Sequence, residues 1–373
     1  MREYKKTGIR PEGDLKVDLN GVIKLFDAGE GAAPFGNGHI NDTYFIPGKP
    51  GLILQRINTN VFREPEKVMS NIEKVTAHLR REAEKRGGDP DRETLSLIPA
   101  KDGKSFVKTP GGEYFRMYSF ISGAVSFETA DDLEKLYEAG RAFGRFQLEL
   151  TDFAPGELFD TIPHFHDTPA RVAAFHRAIE RDAAGRRAKC EREIEGFKAF
   201  EKYASLITDA IEKGEVPERV THNDTKLNNV LFDEKTGKAL CVVDLDTVMK
   251  GSLLYDYGDG LRTGASSADE DERDLSKVYF DLHKFEKFTA GFLSETADLI
   301  TDRERELMHL SALIMTFECG IRFLTDWLDG DVYFKVHREG HNLDRARTQL
   351  KLTENIESKL GLMRQAVRLY ASM

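Results

Sequence analysis

Three polar side chains at short, fixed spacing suggest metal-assisted chemistry. Asp224 and Asn229 lie five residues apart in the stretch 220–232, and Asp244 follows fifteen residues later. Carboxylate and amide oxygens are ligands that Mg²⁺ accepts, and a further carboxylate can take the proton of an attacking hydroxyl. A His-x-Asp-x-x-x-x-Asn loop with a later Asp at a strand end supplies both groups for phosphoryl transfer. The pattern predicts Asp224 as general base, Asn229 and Asp244 as Mg²⁺ ligands, and ATP as phosphate donor.

Lys226 lies two residues after Asp224, where its ammonium can meet the phosphate in transfer. The stretch also has a simpler interpretation, because Asp and Asn are common turn formers and each of these residues alone is more often part of a turn. The conjunction of a carboxylate, a lysine, an amide and a later strand-end carboxylate favours a kinase. We therefore predict Asp224 and Lys226 as catalytic residues.

The composition indicates a globular protein and argues against several classes of function. The chain has 373 residues, enough for two lobes, and its net charge is -10. A negative net charge argues against non-specific binding to nucleic acid or anionic membranes. The three cysteines are far apart and form no Cys-x-x-Cys, so neither a disulfide framework nor a thiolate zinc site is predicted. No signal-peptide core and no apolar run of ~18 residues is found, so we expect a cytoplasmic enzyme. We also expect a monomer.

Glycines near residue 36 predict a turn that can approach phosphate. Gly36 and Gly38 stand just before the alternating run 40–46, which predicts a hairpin. Without side chains, such residues let backbone amides come close to phosphate oxygens. An ordinary hairpin turn is the alternative interpretation. We assign Gly36 and Gly38 to nucleotide binding because of the loop at 220–232.

The next predicted strand, 52–58, carries the polar pair Gln55 and Arg56 and no lysine. Neighbours on a strand point to opposite faces, so only one of the two can face a nucleotide, and we favour Arg56 for its charge. Apolar spacing predicts a helix at 65–86. Within it, Glu73 either orients the cation by an ion pair or is a solvated surface residue, and both interpretations remain open.

An aromatic strand at 114–121 leads into Ser122-Gly123, so we predict a hinge at 117–123. Backbone groups at Met117 and Phe120 are predicted to bind the adenine edge. A buried core strand is the alternative, and the two interpretations are compatible. The predicted boundary separates an N-terminal nucleotide-binding lobe, 1–121, from a helical C-terminal lobe, 122–373.

Beyond residue 122 the apolar pattern is helical. The predicted helices are 131–150, 171–180, 190–213, 276–294, 302–328 and 343–373. The loop 163–169 has two histidines, but its prolines and single carboxylate favour a structural or substrate-facing loop over a metal site. Glu318 and Arg322 lie within an apolar helical pattern, where charges are costly unless they serve a purpose.

These residues resemble a known superfamily. The loop 222–229 with Asp244-Leu245-Asp246 is similar to the aminoglycoside phosphotransferase and choline kinase superfamily. Within it, the stretch from about 35 to about 352 resembles the bacterial N-acetylhexosamine 1-kinases. The closer resemblance rests on the loop and on Gly36-Asn37-Gly38-His39-Ile40-Asn41, Ile53-Leu54-Gln55-Arg56, Ala142-Phe143-Gly144, His164-Phe165-His166-Asp167-Thr168-Pro169, Glu318-Cys319-Gly320-Ile321-Arg322-Phe323-Leu324 and Asp331-Val332-Tyr333-Phe334.

The resemblance implies an α+β, two-lobed protein-kinase-like fold, with a small β-rich N-terminal lobe that includes a long helix and a larger helical C-terminal lobe. It implies transfer of the ATP γ-phosphate to the anomeric hydroxyl of GlcNAc or GalNAc, giving the α-1-phosphate. The pathway implied is lacto-N-biose/galacto-N-biose salvage. The resemblance implies that His39, Arg322 and Tyr333 contact the sugar, with Asn41 and Asp246 as further substrate residues.

Two alternatives stay open at the level of sequence. A related kinase could phosphorylate another acceptor, such as choline, homoserine, methylthioribose or an aminoglycoside. Cationic acceptors favour acidic or aromatic pockets, and Arg322 in the acceptor site opposes them. A nucleotide-binding pseudokinase scaffold is a second alternative. It needs no general base, so the complete set of Asp224, Asn229 and Asp244 opposes it.

Overall fold

The computed structural model describes residues 18–36, 40–129 and 132–372. Contacts divide the chain into two compact units. The first combines the described residues up to Asn60 with Leu97–Phe120, and the second combines Val61–Ser96 with the described residues from Ile121 onward. Residues 61–96, which we predicted to lie in the N-terminal lobe, therefore group with the second unit.

The first unit is built on a five-stranded antiparallel sheet. The strands lie in the order β1 (Ala33–Pro34), β2 (Asp42–Ile46), β3 (Leu52–Ile57), β5 (Tyr114–Ser119) and β4 (Phe106–Lys108). Helix α1 (Leu19–Leu25) adds Val22 and Ile23 to a core that contains Leu54 and Met117, which pair across β3 and β5. Pairing of β1 with β2 confirms the hairpin predicted beside Gly36.

The second unit is mostly helical, and it also holds two small antiparallel sheets. Its helices are α2 (Pro65–Lys85), α3 (Pro90–Glu93), α4 (Leu133–Glu149), α5 (Thr168–Arg181), α6 (Glu191–Lys198), α7 (Leu206–Glu212), α8 (Leu253–Gly264), α9 (Leu282–Thr296), α10 (Asp302–Asp329), α11 (His341–Glu357) and α12 (Leu360–Tyr370). One sheet pairs β7 (Arg219–Thr221) with β10 (Met249–Gly251), and the other has the order β6 (Ala124–Val125), β8 (Val230–Asp233) and β9 (Ala239–Val242). A β-rich unit and a larger helical unit agree with the predicted α+β class.

Two of the predicted helices are each divided in the structure. The segment 190–213 forms α6 and α7 with a 3₁₀ turn between them, and the segment 343–373 forms α11 and α12. Buried residues Phe197, Phe200 and Ala204 keep a nearly helical spacing through the 3₁₀ turn. Apolar periodicity therefore does not show this interruption, since 3₁₀ and α-helical turns repeat after almost the same number of residues.

Helices α4 and α9 pack at close range because glycines lie where they meet. A Cβ on Gly291 of α9 would lie 2.0 Å from the carbonyl oxygen of Tyr137 on α4. In the other direction, a Cβ on Gly140 would lie 2.2 Å from the carbonyl oxygen of Phe288. These distances are far inside van der Waals contact, so only glycine fits at either position.

Helix α10 forms the core of the second unit. It is the one described helix long and apolar enough to cross a membrane, but 83% of its most apolar window is buried inside the protein. The helix packs against α5, α8 and α11. A capping box of Thr301 and Glu304 fixes its first turn. This is the pattern of a core helix, and its C-terminal half carries Glu318, Arg322 and Asp326.

Candidate active site

The loop between β7 and β8 brings the predicted base, lysine and amide together. The Lys226 ammonium lies 2.8 Å from Oδ1 of Asp224. The Asn229 amide nitrogen donates to Oδ2 of Asp224 at 3.1 Å and to its backbone oxygen at 2.8 Å. Since the nitrogen of the Asn229 amide is engaged in this way, its oxygen is the atom left to ligate a cation.

Opposing effects set the ionisation of this group. Burial alone would raise the pKa of Asp224, but the charge of Lys226 and its hydrogen bond outweigh burial, so this pKa lies below its ordinary value. The nearby Asp224 carboxylate raises the pKa of Lys226. Asp224 is therefore ionised and able to accept a proton, and Lys226 is charged, as the proposed roles of both residues require.

Two carboxylates on α8 hold the backbone of this loop. Asp256 is fully buried and accepts the backbone N–H groups of His222 at 2.8 Å and Asn223 at 2.7 Å. Asp259 accepts the N–H of Thr225 at 3.0 Å. Burial raises the pKa of Asp256, against the opposing effects of the His222 charge and these hydrogen bonds. We did not predict these residues, although two acids three apart in an apolar helix indicate a shared polar face.

The segment after β9 is tied to the same loop, and it carries Asp244. The ring of His222 lies 2.9 Å from the carbonyl oxygen of Val243, and the Val243 N–H donates to the backbone oxygen of Asn229 at 2.9 Å. Asp244 itself has a left-handed backbone, with φ 62°. Val243, the residue before Asp244, is thus bonded to both His222 and Asn229, which places the two predicted metal ligands on adjoining, mutually bonded segments.

Asp246, predicted to contact substrate, lies in a 3₁₀ turn and is buried. Its backbone oxygen accepts a hydrogen bond from Thr161 at 3.2 Å. Farther along this segment, the side chain of Asn71 on α2 donates to the carbonyl oxygen of Val248 at 2.9 Å. A role of Asp246 in substrate binding stays a prediction, whereas its backbone has a clear structural function.

A second group of predicted residues lies near the end of α10. The Arg322 guanidinium lies 5.2 Å from the ring centre of Phe165, 6.0 Å from that of Tyr333 and 5.5 Å from that of Phe334. Within the described part of the chain, Arg322 has neither a hydrogen-bond acceptor nor a carboxylate within bonding distance. The structure thus brings Arg322 and Tyr333 together, and it adds Phe165 and Phe334, which we had not assigned to substrate.

A second arginine makes this region more positive. The Arg171 guanidinium donates to the carbonyl oxygen of Phe165 at 3.1 Å. Burial and the nearby charge of Arg322 lower the pKa of Arg171. The two like charges therefore repel each other, and the carboxylates of Glu318 and Asp167 partly offset this repulsion. A ligand rich in acceptor oxygens would relieve this repulsion, and a cationic ligand would add to it.

Of the residues predicted to bind nucleotide, the structure describes Gly36 and Arg56 in the first unit. Gly36 has a left-handed backbone, with φ 72°, and a Cβ there would meet nothing within 4 Å. Gly38 and His39 lie outside the described residues. Arg56 forms an ion pair with Asp42, its Nε lying 2.9 Å from the carboxylate. The assignment of Arg56 to the phosphates stays a prediction.

The backbone groups proposed to bind adenine already have partners. The Met117 carbonyl accepts the N–H of Ile98 at 2.8 Å, and the Phe120 N–H donates to the carbonyl oxygen of Gly51 at 2.9 Å. The Phe120 N–H is thus bonded within the protein, and a role of Met117 and Phe120 in adenine binding stays a prediction. Met117 lies in β5, between β3 and β4 in the sheet, and the bond from Phe120 to Gly51 continues the pairing of β5 with β3. Sequence periodicity does not show which backbone groups are bonded in this way.

Two further predictions concern Asn41 and Glu73. The side-chain oxygen of Asn41 accepts the N–H of Asn58 at 3.0 Å, and the residue is buried. This contact gives Asn41 a structural role, and its assignment to substrate stays a prediction. Glu73 lies exposed on α2 in the second unit. Its proposed pairing with Arg56 is likewise still a prediction.

The chain is similar to phosphotransferases in sequence and to small-molecule kinases in structure. Residues 31–284 match the model described as the phosphotransferase enzyme family. An aminoglycoside phosphotransferase from Alicyclobacillus acidocaldarius superposes with a TM-score of 0.63 at 12% identity, over 96% of this chain and 99% of that one. A choline/ethanolamine kinase family protein from Mesorhizobium loti gives 0.54 at 15% identity, over 94% and 99%. An amicoumacin kinase in complex with AMP-PNP and Ca²⁺ gives 0.56 at 11% identity, over 88% of each chain. At such identities the likeness shows the fold, and it confirms the predicted kinase-like class.

Proposed function

Because the chain belongs to the phosphotransferase enzyme family, and is thus a small-molecule phosphotransferase, we propose that it transfers the γ-phosphate of ATP to the anomeric hydroxyl of an N-acetylhexosamine. GlcNAc and GalNAc are the proposed acceptors, and the product is the α-1-phosphate. The amicoumacin kinase with bound AMP-PNP and Ca²⁺ supports a nucleoside triphosphate and a divalent metal as cofactors. A cytoplasmic, monomeric enzyme remains our expectation.

In this proposal Asp224 is the general base. Its carboxylate is ionised and fixed by Lys226 at 2.8 Å and by Asn229 at 3.1 Å. It accepts a hydrogen bond and then the proton of the sugar O1 hydroxyl, as the oxygen bonds to the γ-phosphorus of ATP and the bond from that phosphorus to the bridging oxygen breaks, with ADP as leaving group. An anomeric hydroxyl is more acidic than an ordinary alcohol, so the demand on the base is smaller. Lys226 stabilises the negative charge on the phosphoryl oxygens in the loose transition state.

Asn229 and Asp244 have the chemistry of a Mg²⁺ site. The amide oxygen of Asn229 and the carboxylate of Asp244 are hard oxygen donors, and hydrogen bonds through the Val243 peptide hold their backbones together. Mg²⁺ bound there would neutralise charge on the phosphates of ATP. His222 helps to orient Asp244, because its ring bonds the carbonyl oxygen of the preceding residue, Val243.

The observation that supports the sugar is the environment of Arg322. A half-buried guanidinium lies among three aromatic rings, with Arg171 near it and no acceptor within reach among the described residues. N-acetylhexosamines are neutral, carry several acceptor oxygens and have an apolar face that packs on aromatic rings. Choline and aminoglycosides are cationic, and two arginines oppose them. This contrast favours a neutral sugar within the family.

The test is an ATP-coupled assay with an acceptor panel. The panel contains GlcNAc, GalNAc, glucose, choline, homoserine, methylthioribose and kanamycin, and ADP release is measured with and without Mg²⁺. We expect turnover with the N-acetylhexosamines and a product that is no longer a reducing sugar, because its C1 carries phosphate. Turnover with an amine-containing acceptor alone would assign another substrate, and no ADP release with any acceptor would favour a pseudokinase.

A further inference from the structure

Glu318 lies in the helical core with a charge that the proposed reaction does not use. It is only 1% exposed on α10, and its carboxylate oxygens lie 2.8 Å from Nδ1 of His166 and 2.7 Å from the hydroxyl of Thr168. Burial would raise the pKa of Glu318, but the charges of His166 and Arg322 and the bonds from His166 and Thr168 hold it below its ordinary value. A buried carboxylate is tolerated only when it is paired in this way.

His166 meets an acceptor at each of its ring nitrogens. Nδ1 faces the Glu318 carboxylate, and Nε2 lies 3.2 Å from the carbonyl oxygen of Asn223. A neutral imidazole carries a single N–H, so it can donate to one of these oxygens and not to both. Only the imidazolium form, with a proton on each nitrogen, satisfies the two acceptors. The rings of Phe165 and Tyr255 pack beside it, at 4.5 and 5.3 Å between centres.

The carbonyl of Asn223 belongs to the peptide bond that leads into Asp224. Asn223 has a left-handed backbone, with φ 64°, and its N–H donates to Asp256 at 2.7 Å. Its side-chain amide donates to the carbonyl oxygen of Thr247 at 2.9 Å. Asp256 and Thr247 thus hold the backbone N–H and the side chain of Asn223, and His166 holds its carbonyl oxygen. Since a peptide group is planar, fixing its carbonyl also fixes the direction in which Asp224 leaves the loop.

The same helix that carries Glu318 carries Arg322 four residues later, on the same face. We propose that Glu318 and His166 are a positioning pair that holds the peptide before Asp224 and connects the acceptor-binding part of α10 to the base. The pair touches neither substrate nor phosphate, and it acts through the orientation of Asp224. The inference rests on the proposed function for the role of Asp224 as base and of α10 in acceptor binding.

Kinetics of Glu318→Gln and His166→Gln test the pair. Both changes remove the charge interaction and keep a polar side chain of similar size. We expect kcat to fall about 10- to 100-fold, since small displacements of a reacting group are costly, with KM for ATP within about twofold of the wild-type value. A change in KM for ATP as large as that in kcat, or an unchanged kcat in folded protein, would overturn the proposal.

Glu304→Gln is the matched control. Glu304 lies on the same helix, is also fully buried, and pairs with Arg219 at 3.0 Å. The substitution removes a buried charge of the same kind at the other end of α10. We expect it to lower the melting temperature and leave kcat per folded molecule unchanged. If Glu304→Gln lost as much kcat as Glu318→Gln, the loss at Glu318 would reflect general destabilisation of the protein and not positioning of Asp224.

A measurement without substrate separates this inference from the proposed function. In protein labelled with ¹⁵N at its ten histidines, ¹H–¹⁵N spectra at pH 7 report which ring nitrogens carry protons. The His166 signal is assigned by its loss in His166→Gln and by its shift in Glu318→Gln. We expect both nitrogens of His166 to be protonated in the wild type. A single neutral tautomer would refute the pair, whereas absence of sugar turnover would refute only the proposed function.

Discussion

Asp326 accepts the backbone N–H of Tyr333 at a distance of 2.7 Å. The same carboxylate accepts the N–H groups of Val332 and Phe334, each at 2.9 Å, and the side-chain amide of Asn342 at 2.8 Å. Asp326 is buried, yet Tyr333 is 54% exposed. The turn after α10 is therefore fixed from inside while it presents an aromatic ring to solvent beside Arg322.

Release of this turn should weaken sugar binding. In Asp326→Ala the three backbone N–H groups lose their acceptor, so the Tyr333 ring loses its fixed position. We expect KM for the sugar to rise about tenfold, a free-energy change of ~1.4 kcal/mol, with KM for ATP nearly unchanged. Asp329→Asn is the control, because Asp329 pairs with Arg181 at the surface of the same helix end. A similar rise in KM in both variants would argue against a specific role of Asp326.

Loss of the Arg322 guanidinium should act mainly on binding of the acceptor. Arg322→Ala removes five N–H donors and the cation above three aromatic rings, and we expect KM for the sugar to rise far more than KM for ATP. Arg322→Lys keeps the charge but lacks the planar donor fork, so it should restore only part of the affinity. Steady-state kinetics with each substrate varied in turn give both constants. Equal effects on the two KM values would place Arg322 in a structural role.

Removal of the base should act on turnover. Asp224→Asn keeps the size of the side chain and cannot accept the hydroxyl proton, so we expect kcat to fall about 100-fold or more. Asp209→Asn on α7 is the control, since the Asp209 carboxylate accepts a hydrogen bond from the hydroxyl of Ser205, four residues before it. Circular dichroism and melting curves verify folding of both variants. Near-normal turnover of folded Asp224→Asn would show that another group takes the proton.

The metal prediction can be tested with two neighbouring asparagines. Chelation should abolish activity, and added Mg²⁺ should restore it. Asn229→Ala should raise the Mg²⁺ concentration needed for half-maximal rate, because it removes a predicted ligand. Asn228→Ala should leave that concentration unchanged, since the Asn228 amide donates to Glu128 at 3.1 Å on the exposed side. Equal Mg²⁺ dependence of the two variants would exclude Asn229 as a ligand.

The sequence was informative where chemistry is local along the chain. Asp224, Lys226 and Asn229 lie within six positions, so residue type and spacing identified them as one group, and the structure places their side chains in contact. Their catalytic and metal-binding roles stay predictions. Asp256 and Asp326 escaped prediction because they act on backbone N–H groups of distant or looped segments. The spacing of Asp256 and Asp259 indicates a polar face on α8, but it does not show which backbone groups that face binds.

The nucleotide side was less predictable for a related reason. A strand can be recognised from its alternation, but whether a given N–H is already bonded depends on its neighbour in the sheet. The Phe120 N–H is bonded to the carbonyl oxygen of Gly51, as only the pairing of β5 with β3 shows. Pairing of Arg56 with Asp42 likewise follows from the β2–β3 register. The sequence indicated the chemistry of the side chains, but it did not show which backbone N–H and C=O groups are already hydrogen-bonded.

The close contact of α4 and α9 leads to a stability prediction that is independent of function. Gly291→Ala places a Cβ 2.0 Å from the carbonyl oxygen of Tyr137, so the helices must move apart, and overpacking of this kind costs about 1–3 kcal/mol or more. Gly361→Ala is the matched control, because Gly361 lies in the first turn of α12 with nothing within 4 Å of a Cβ.

Alanine at Gly361 should stabilise the protein by about 0.5–1 kcal/mol, since it restricts the unfolded chain and favours the helix. The two substitutions are chemically identical, so opposite shifts of the urea midpoint isolate the effect of helix contact from that of helix propensity. A higher midpoint in both variants would mean that α4 and α9 have room for a methyl group, and that glycine is not needed where they cross.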